Sequence, residues 1–255
     1  MGTIIAVVNQ KGGVAKTTTA INLSAALGKA GKKVLLVDLD PQGNATTGCG
    51  ISKRSLELTI YEVIMGEARP GEAVVTTSFK NVDIIPATQE LAQAEIRLPS
   101  QFENKTLQLR KALAQVQDGY DVIIIDCLPS LGVLALNGIT ACDRLIVPMQ
   151  CEPYSLEGVA ELFTIVKRIK NTTNKHIKIM GIVFTMLDKR LTVNRDVMES
   201  IREKFPEDII FKTEIPRNVR IAEAPSHGEP IIYYDKASKG ALAYTALAGE
   251  VLAKI

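Results

Sequence analysis

The sequence contains no tryptophan, and its aromatic residues together make up only 5% of the chain. This scarcity leaves no visible platform of aromatic rings on which the bases of single-stranded nucleic acid would stack. No apolar run is long enough to cross a membrane, and the chain enters an apolar strand at once, without the pattern of an export signal. Because the formal net charge is only +2, any nucleic-acid surface must be a local patch of lysine and arginine. We expect a cytoplasmic protein that is not attached to a membrane.

Cysteine is also sparse and has no paired C-x-x-C spacing. We expect reduced thiols rather than a disulfide framework; an iron–sulfur cluster bridging two chains is the alternative. The four cysteines are Cys49, Cys127, Cys142 and Cys151.

The rest of the composition, with 255 residues, 46% hydrophobic and 23% charged, predicts one globular domain over residues 1–255. Apolar runs alternate with amphipathic stretches, which predicts an α/β fold with a mainly parallel twisted sheet and helices on both faces. Two segments, Gly66–Phe79 and Leu98–Lys105, are expected to be loops. The predicted strands are Thr3–Val8, Lys33–Leu39, Val82–Ile85, Val122–Asp126, Arg144–Pro148, Ile177–Thr185 and Ile209–Phe211. The predicted helices are Thr17–Lys29, Leu56–Met65, Leu107–Gln117, Leu134–Ala141, Leu156–Asn171, Val193–Phe205 and Lys239–Lys254.

The segment Ile4–Thr19 carries the most information. It reads as a buried strand, a turn containing two glycines, and a helix that opens on Lys16 and Thr17. Backbone N–H groups of such a turn and the positive end of the helix bind phosphate. Lys16 adds a point charge for the terminal phosphates, and the Thr17 hydroxyl is a magnesium ligand. The residues predicted to bind the nucleotide here are Gly12, Gly13, Val14, Ala15, Lys16, Thr17 and Thr18.

This loop departs from the usual phosphate-binding pattern G-x-x-x-x-G-K-[ST]. Gln10 and Ala15 occupy the two glycine positions, and the Gly12–Gly13 pair follows an additional lysine, Lys11.

Acidic residues follow two further predicted strands. Asp38 and Asp40 come at the end of the second apolar run, and Asp126 ends the run that begins at Val122. Ligands of open parallel sheets lie beyond the carboxyl ends of the strands, so these carboxylates are expected beside the phosphate loop. Asp126 suits the support of a magnesium ion in a P-loop nucleotidase, and Asp38 is assigned to the same metal region.

Four stretches together resemble the ParA/Soj family of partition ATPases, which have a deviant Walker A loop. The resemblance covers essentially the whole chain, and the last stretch favours ParA/Soj over other members of the MinD/ParA superfamily. Cys127 lies where this family commonly has a cysteine without a cluster. The four stretches are Lys11–Thr18, Asp38–Asn44, Ile125–Gly132 and Ile215–Ser226.

The resemblance implies an ATP hydrolase that uses Mg²⁺ and positions chromosomes, plasmids or other cargo. It places Asp40 at the attacking water and Lys11 across a dimer interface, on the partner's nucleotide. It also suggests adenine contacts from Met186, Pro216 and Arg217. The chain has no guanine-reading Asn-Lys-x-Asp element, which favours ATP.

The same resemblance implies an ATP-dependent homodimer that binds double-stranded DNA without sequence preference and is stimulated by a ParB/Spo0J-like protein. Such a protein would be cytoplasmic and associated with the nucleoid. Lysines and arginines on one face would form the DNA patch, because no recognition-helix motif is evident. The DNA-contact candidates are Arg190, Arg220, Lys236 and Lys239.

Two departures from the family pattern leave alternatives open. Ala15 stands where the family usually has glycine, and Leu128 where it usually has proline. If position 15 needs a conformation reserved for glycine, strain of roughly 1–3 kcal/mol is expected. The protein is then a slower ATPase or a nucleotide-binding switch with little turnover; otherwise the alanine is neutral. A membrane-positioning ATPase of MinD type is a third hypothesis, although the Ala-rich tail is poor in positive charge and is expected to pack on the domain.

Overall fold

A computed structural model describes residues 1–152 and 155–255 of the chain. Within them, seven strands form one sheet in the order β3-β4-β2-β5-β1-β6-β7. All neighbouring strands are parallel except the short β3, which pairs antiparallel with β4 at one edge. The strands are β1 (Thr3–Val7), β2 (Val34–Leu39), β3 (Val75–Thr76), β4 (Val82–Ile85), β5 (Val122–Cys127), β6 (Arg144–Gln150) and β7 (Lys178–Thr185).

Helices cover both faces of this sheet, so the structure confirms the predicted α/β class. The α-helices are α1 (Lys16–Lys29), α2 (Asn44–Gly48), α3 (Ile60–Ile64), α4 (Ala94–Gln101), α5 (Gln108–Leu113), α6 (Val133–Ala141), α7 (Ser155–Thr172), α8 (Thr192–Lys204), α9 (Val219–Glu223), α10 (Ile231–Tyr234) and α11 (Lys239–Leu252). Short 3₁₀ helices occur at Lys53–Ser55, Pro70–Ala73, Gln89–Gln93, Gln117–Gly119, Glu207–Ile209 and Ala224–His227.

Alternate residues of the central strands enter two separate hydrophobic layers, because successive side chains of a strand point to opposite faces. Ile4 of β1 and Ile123 of β5 face the layer that is completed by α3 to α8. Ile5 and Ile124 face the layer that contains α1, α10 and α11. The expectation that the C-terminal segment packs on the body is confirmed, since Tyr244 of α11 is fully buried.

The topology places the ends of β1, β2 and β5 side by side. The two strands β1 and β2 flank β5, with Val7 and Asp38 both opposite Asp126. The phosphate loop and the acidic residues are therefore brought together at the carboxyl ends of these central strands, as the sequence predicts.

One predicted strand, Ile209–Phe211, is wrong. The residues Glu207–Ile209 form a 3₁₀ helix after Pro206, and only Ile210 makes an isolated bridge, to Ile182 of β7. Proline fixes the entry to this turn and supplies no N–H for a ladder. The chain still follows the outer edge of β7, because the Phe211 and Ile215 N–H groups donate to carbonyls of that strand.

Several helix predictions need shorter or shifted bounds. The helix expected from Leu56 starts only at Ile60, because Thr59 caps it and Glu62 completes the capping box. The helix expected over Leu107–Gln117 ends as an α-helix at Leu113. Residues 98–101, assigned to a loop, belong to α4, which contains Pro99.

Across residues 1–152 and 155–255, no helix combines the length and the apolar character that a bilayer span requires.

Candidate functional site

The phosphate loop connects β1 to α1 and is held from the side by two neighbouring strands. The Gln150 side-chain amide at the end of β6 donates to the Gly13 carbonyl at 2.8 Å. The Thr185 hydroxyl at the end of β7 donates to the Val14 carbonyl at 3.0 Å. The loop conformation is thus fixed by the sheet, while Gly12 and Gly13 remain exposed. Sequence patterns missed both supports, because their partners are backbone atoms far away in the chain.

Ala15 adopts a left-handed conformation immediately before α1, with φ 64° and ψ 35°. For a residue with a Cβ, the left-handed conformation is less stable than the right-handed one by about 1–2 kcal/mol, whereas glycine adopts both. Gly13, two residues earlier, has φ +75°. Position 15 therefore has the backbone geometry that favours the glycine it lacks.

The Lys16 ammonium is folded back on the loop. Its Nζ donates to the Lys11 carbonyl at 2.8 Å, and the residue is 6% exposed. Burial lowers the pKa of Lys16, while the negative charges of Asp126 and Asp40 oppose that shift. A cation at this position faces two carboxylates and an accessible loop, which is the arrangement that binds an anion together with a divalent metal.

Asp126 ends β5 as a fully buried carboxylate, and neither of its oxygens has a hydrogen-bond partner. Burial raises the pKa of Asp126 well above its usual range; the charge of Asp38 adds to the shift, and the nearby Thr17 hydroxyl and the charge of Lys16 oppose it. An unpartnered buried carboxylate is costly unless it is neutralised. The donor set therefore fits a cation at this edge of the sheet.

Asp38 and Asp40 differ from Asp126 in being hydrogen-bonded. The buried Asp38 accepts bonds from Thr46 and from the Asp40 N–H, and burial raises the pKa of Asp38 to about 6. Asp40 is half-buried just beyond β2 and accepts from the Gln42 N–H at 2.9 Å. Asp40 is thus held in a turn at the mouth of the site.

Thr17 lies half-buried in the first turn of α1. In the part of the chain that the structure describes, no three His, Cys, Asp or Glu side chains form a group that would hold a metal alone. Magnesium is usually bound by one or two protein groups together with phosphate oxygens and water.

Lys11 forms an ion pair that the sequence did not predict. Its Nζ lies 2.6 Å from Glu152, just beyond β6, and the two side chains are 40% and 52% exposed. Exposed pairs of this kind contribute about 0–1 kcal/mol. The lysine is therefore restrained only weakly and lies near the surface.

A cavity of about 440 Å³ opens beside the loop. Ala15 and Thr18 line one side of it, and Met186, Pro216 and Arg217 line the other. Met186 also has a positive φ, 50°, so two strained non-glycine residues border the same cavity. Backbone strain of this kind concentrates at functional sites. The remaining lining residues are Ile215, Asn218, Val219, Ile221, Ala222, Pro225 and Tyr244.

The candidate DNA-contact residues are all exposed. Arg190, which follows β7, binds both carboxylate oxygens of Asp188, at 2.9 and 2.6 Å. Arg220, in α9, pairs with Glu223 at 3.0 Å. Both arginines are therefore partly neutralised by acidic neighbours. The other two candidates, Lys236 and Lys239, lie between α10 and α11 and in the first turn of α11.

All four cysteines are free and buried. Burial raises the pKa of Cys127 well above its usual value and that of Cys151 to about 12. These thiols are therefore protonated at neutral pH.

A further acidic residue, Glu95 of α4, supports the segment after Asp126. Its carboxylate accepts from the Val133 and Leu134 N–H groups at 2.9 and 3.2 Å, and so caps α6. No sequence pattern indicates this contact, because the cap comes from a different helix.

Comparison with known proteins gives consistent results. Residues 2–179 match a family described as AAA domain. The sporulation initiation inhibitor protein Soj of Bacillus subtilis is 49% identical, with 99% of each chain covered. The chromosome partitioning protein ParA of Caulobacter vibrioides is 44% identical, over 98% of this chain and 94% of the relative.

Solved structures also match over nearly the whole chain. Cobyrinic acid a,c-diamide synthase from Mycobacterium smegmatis with bound ADP and magnesium has a TM-score of 0.87 at 38% identity, covering 99% of this chain and 94% of the other. The cell division ATPase MinD of Pyrococcus furiosus has a TM-score of 0.81 at 28% identity, with 99% of each chain covered.

Proposed function

Because the chain belongs to the Soj/ParA family of chromosome-partitioning ATPases, we propose that it binds and hydrolyses ATP with Mg²⁺ in chromosome or plasmid segregation. The observation that carries the proposal is the buried, unpartnered carboxylate of Asp126 facing Lys16 at the phosphate loop. Residues 1–255 act as one ATPase domain in this proposal.

The loop residues Gly12–Thr18 supply backbone N–H groups to the phosphates. Lys16 gives up its bond to the Lys11 carbonyl and turns to the terminal phosphates, where it stabilises negative charge. Thr17 and Asp126 would hold a magnesium ion, which would neutralise phosphate charge when bound, and Asp38 adds negative charge to the region. Asp40 orients the attacking water, because it lies at the mouth of the site and its carboxylate is partly accessible.

The cavity bordered by Ala15 and Met186 receives the adenine ring. Its lining is mostly apolar around Pro216, as expected for a site that packs against a flat ring. Backbone groups of Pro216 and Arg217 are the candidates for reading the edge of the base. The solved relative from Mycobacterium smegmatis holds ADP and magnesium, which supports a nucleotide of this class here.

Lys11 acts in trans in this proposal. It leaves Glu152 and reaches the nucleotide of a second copy, so dimerisation depends on the γ-phosphate. The exposed position of Lys11 and the weak ion pair support this role.

The dimer binds double-stranded DNA without sequence preference through Arg190, Arg220, Lys236 and Lys239. A ParB/Spo0J-like protein stimulates hydrolysis, and the protein is cytoplasmic and nucleoid-associated. The exposure of the four side chains and the partitioning roles named for the relatives support this part of the proposal.

A second candidate function is a nucleotide-dependent switch with very little turnover. The left-handed Ala15 favours it, because each ~1.4 kcal/mol of strain expressed in the transition state lowers a rate about tenfold.

Titration calorimetry with ATP and Mg²⁺ tests the nucleotide site. Lys16→Ala should abolish detectable binding, whereas Lys170→Ala, an exposed lysine at the far end of α7, should bind like the parent. Unchanged affinity in the Lys16 variant contradicts the assignment of the loop. Single-turnover hydrolysis with and without a ParB-like protein then separates an ATPase from a switch.

A further inference from the structure

The carboxylate of Asp38 is committed to one short segment of backbone. Its Oδ2 accepts from the Thr46 N–H at 2.8 Å and from the Thr46 hydroxyl at 2.7 Å. Its Oδ1 accepts from the Asp40 N–H at 3.2 Å. Both oxygens therefore bind the two ends of the segment from Asp40 to Thr46.

Thr46 extends this connection to the neighbouring strand. The residue is fully buried, and its hydroxyl accepts the Ala87 N–H at 2.9 Å, just beyond β4. The hydroxyl thus donates to Asp38 and accepts from Ala87, which uses its hydrogen-bonding capacity in two directions. One end of the segment is fixed to β2 and to the extension of β4 together.

The turn between these anchors is also closely fitted. The Gly43 N–H donates to the Asp40 carbonyl at 2.8 Å, and Gly43 has a left-handed φ of +60°. A Cβ at Gly43 would lie 2.6 Å from the Ala87 carbonyl oxygen. The backbone approaches the β4 extension too closely for any other residue, so Asp40 is carried on a segment with little freedom.

Asp126 provides the contrast. It is the register partner of Asp38 on β5 and is equally buried, yet neither of its oxygens has a partner. To bind a metal directly, Asp38 would have to surrender its bonds to the Asp40 and Thr46 N–H groups, whereas Asp126 holds no backbone N–H. Leaving such donors unsatisfied costs about 1–3 kcal/mol each.

We propose that Asp38 is a positioning residue, which holds the Asp40–Thr46 segment in place for hydrolysis and is not a magnesium ligand. The proposal rests on the function given above, in which Asp40 orients the attacking water. A displacement of about 1 Å at such a group reduces a rate by on the order of 100-fold. Thr46 shares the role through its hydroxyl and touches no reacting atom.

The test compares Thr46→Val, which keeps the shape of the side chain but removes the hydroxyl, with Thr46→Ser, which retains it. Single-turnover hydrolysis should slow by roughly 10- to 100-fold in the valine variant and stay near the parent rate in the serine variant. Asp38→Asn should also be slow. For all three variants, ATP affinity and the Mg²⁺ concentration for half-maximal binding should stay within about threefold of the parent.

A direct readout of positioning is hydrogen exchange at the Asp40 and Thr46 amides. It should accelerate in Asp38→Asn and Thr46→Val without a general loss of protection in the central strands. This readout also decides the matter if parental turnover is too slow to measure, because it needs no hydrolysis.

The proposal is overturned if Asp38→Asn raises the Mg²⁺ requirement tenfold or more while Thr46→Val leaves it unchanged, since that pattern marks a metal ligand. Parental protection at both amides, or a parental hydrolysis rate in the valine variant, overturns it as well. Failure of the proposed function looks different, because the parent itself would then bind no ATP.

Discussion

At the residue scale, three neighbouring carboxylates have different environments, and Asp38 and Asp126 differ although both are fully buried. Asp126 has no partner, Asp38 has three hydrogen bonds, and Asp40 caps a turn. The sequence predicts that they converge, because all three follow apolar strands that end at one edge of the sheet. It does not predict which of them is free, since that depends on contacts with Thr46 and with the loop between strands. The positions of the strands in the sequence thus predict that the carboxylates lie together, whereas tertiary hydrogen bonds determine which carboxylate is free to bind a cation.

Ala15 leads to the first prediction. Ala15→Gly should raise the free energy of unfolding by about 1 kcal/mol, because glycine accepts φ 64° without steric cost. Gly13→Ala is the matched variant in the same loop. A Cβ at Gly13 would meet no neighbouring atom, but φ is +75°, so the alanine should lower the free energy of unfolding by about 1 kcal/mol. Urea unfolding of nucleotide-free protein measures both. Destabilisation by the glycine at position 15 would contradict the argument from strain.

The second prediction concerns pH. The pKa of Asp38 is raised to about 6 in the folded chain, above its value of about 4 in an unfolded chain. The folded state therefore binds this proton more tightly, so the stability of the nucleotide-free chain should fall as pH rises from about 4 to about 6. The difference between the folded and unfolded pKa values of Asp38 corresponds to a loss of unfolding free energy of order 2–3 kcal/mol.

Thermal unfolding at several pH values without nucleotide or metal measures this effect. Asp38→Asn should flatten the dependence, with the Asp126 contribution remaining. An identical slope in the parent and the asparagine variant would assign the effect to other groups.

At the scale of elements, the sequence predicted long strands and helices better than short ones. The runs that became β1, β2, β5 and β7 each contain several consecutive apolar residues, which is typical of parallel strands buried on both faces. The short helix α2 was missed, because its five residues, Asn44–Gly48, are held by Asp38 and Ala87 rather than by a periodic apolar face. The strand predicted at Ile209–Phe211 was wrong because this apolar segment packs along β7 without forming a continuous ladder of backbone hydrogen bonds.

The third prediction belongs to α4 and α6. Glu95→Ala should lower the free energy of unfolding by about 1–2 kcal/mol, because it removes two bonds from a carboxylate to the N–H groups at the start of α6. Glu90→Ala, an exposed acid in the preceding 3₁₀ helix, should be neutral within about 0.5 kcal/mol. Chemical unfolding of both variants is the measurement, and equal stability would show that the cap contributes nothing.

At the scale of the whole molecule, the fourth prediction is that ATP drives dimerisation through Lys11. Light scattering with ATP and Mg²⁺ should show dimers for Asp40→Ala, in which hydrolysis is slowed, and mainly monomers for Lys11→Ala. Glu152→Gln removes the competing ion pair, so this variant should dimerise at a lower ATP concentration than the parent. The decrease should be at most about fivefold, because an exposed ion pair is weak. Equal dimerisation of the Lys11 and Asp40 variants would remove the argument for a lysine acting in trans.

The fifth prediction is that the dimer binds DNA through a patch. In the Asp40→Ala background, Arg190→Ala and Arg220→Ala should each weaken binding to unrelated duplexes and reduce the slope of log affinity against log salt by about one. Lys170→Ala, in the last turn of α7, is the control and should bind like the Asp40→Ala parent. Each arginine must first leave an acidic neighbour, so the loss per residue should be modest. Binding that ignores ATP, or two arginine variants that bind like the parent, would contradict the patch.

The position of β1 inside the sheet also bears on how the protein is made. The strand from Thr3 to Val7 lies between β5 and β6, so the ribosome must translate the chain as far as Val122 before either neighbour exists. At roughly 5–20 residues per second, that delay is on the order of ten seconds. During it, this apolar segment has neither of the two strands that it pairs with in the folded sheet. Nucleotide binding therefore has to wait for β5, which is translated long after the loop.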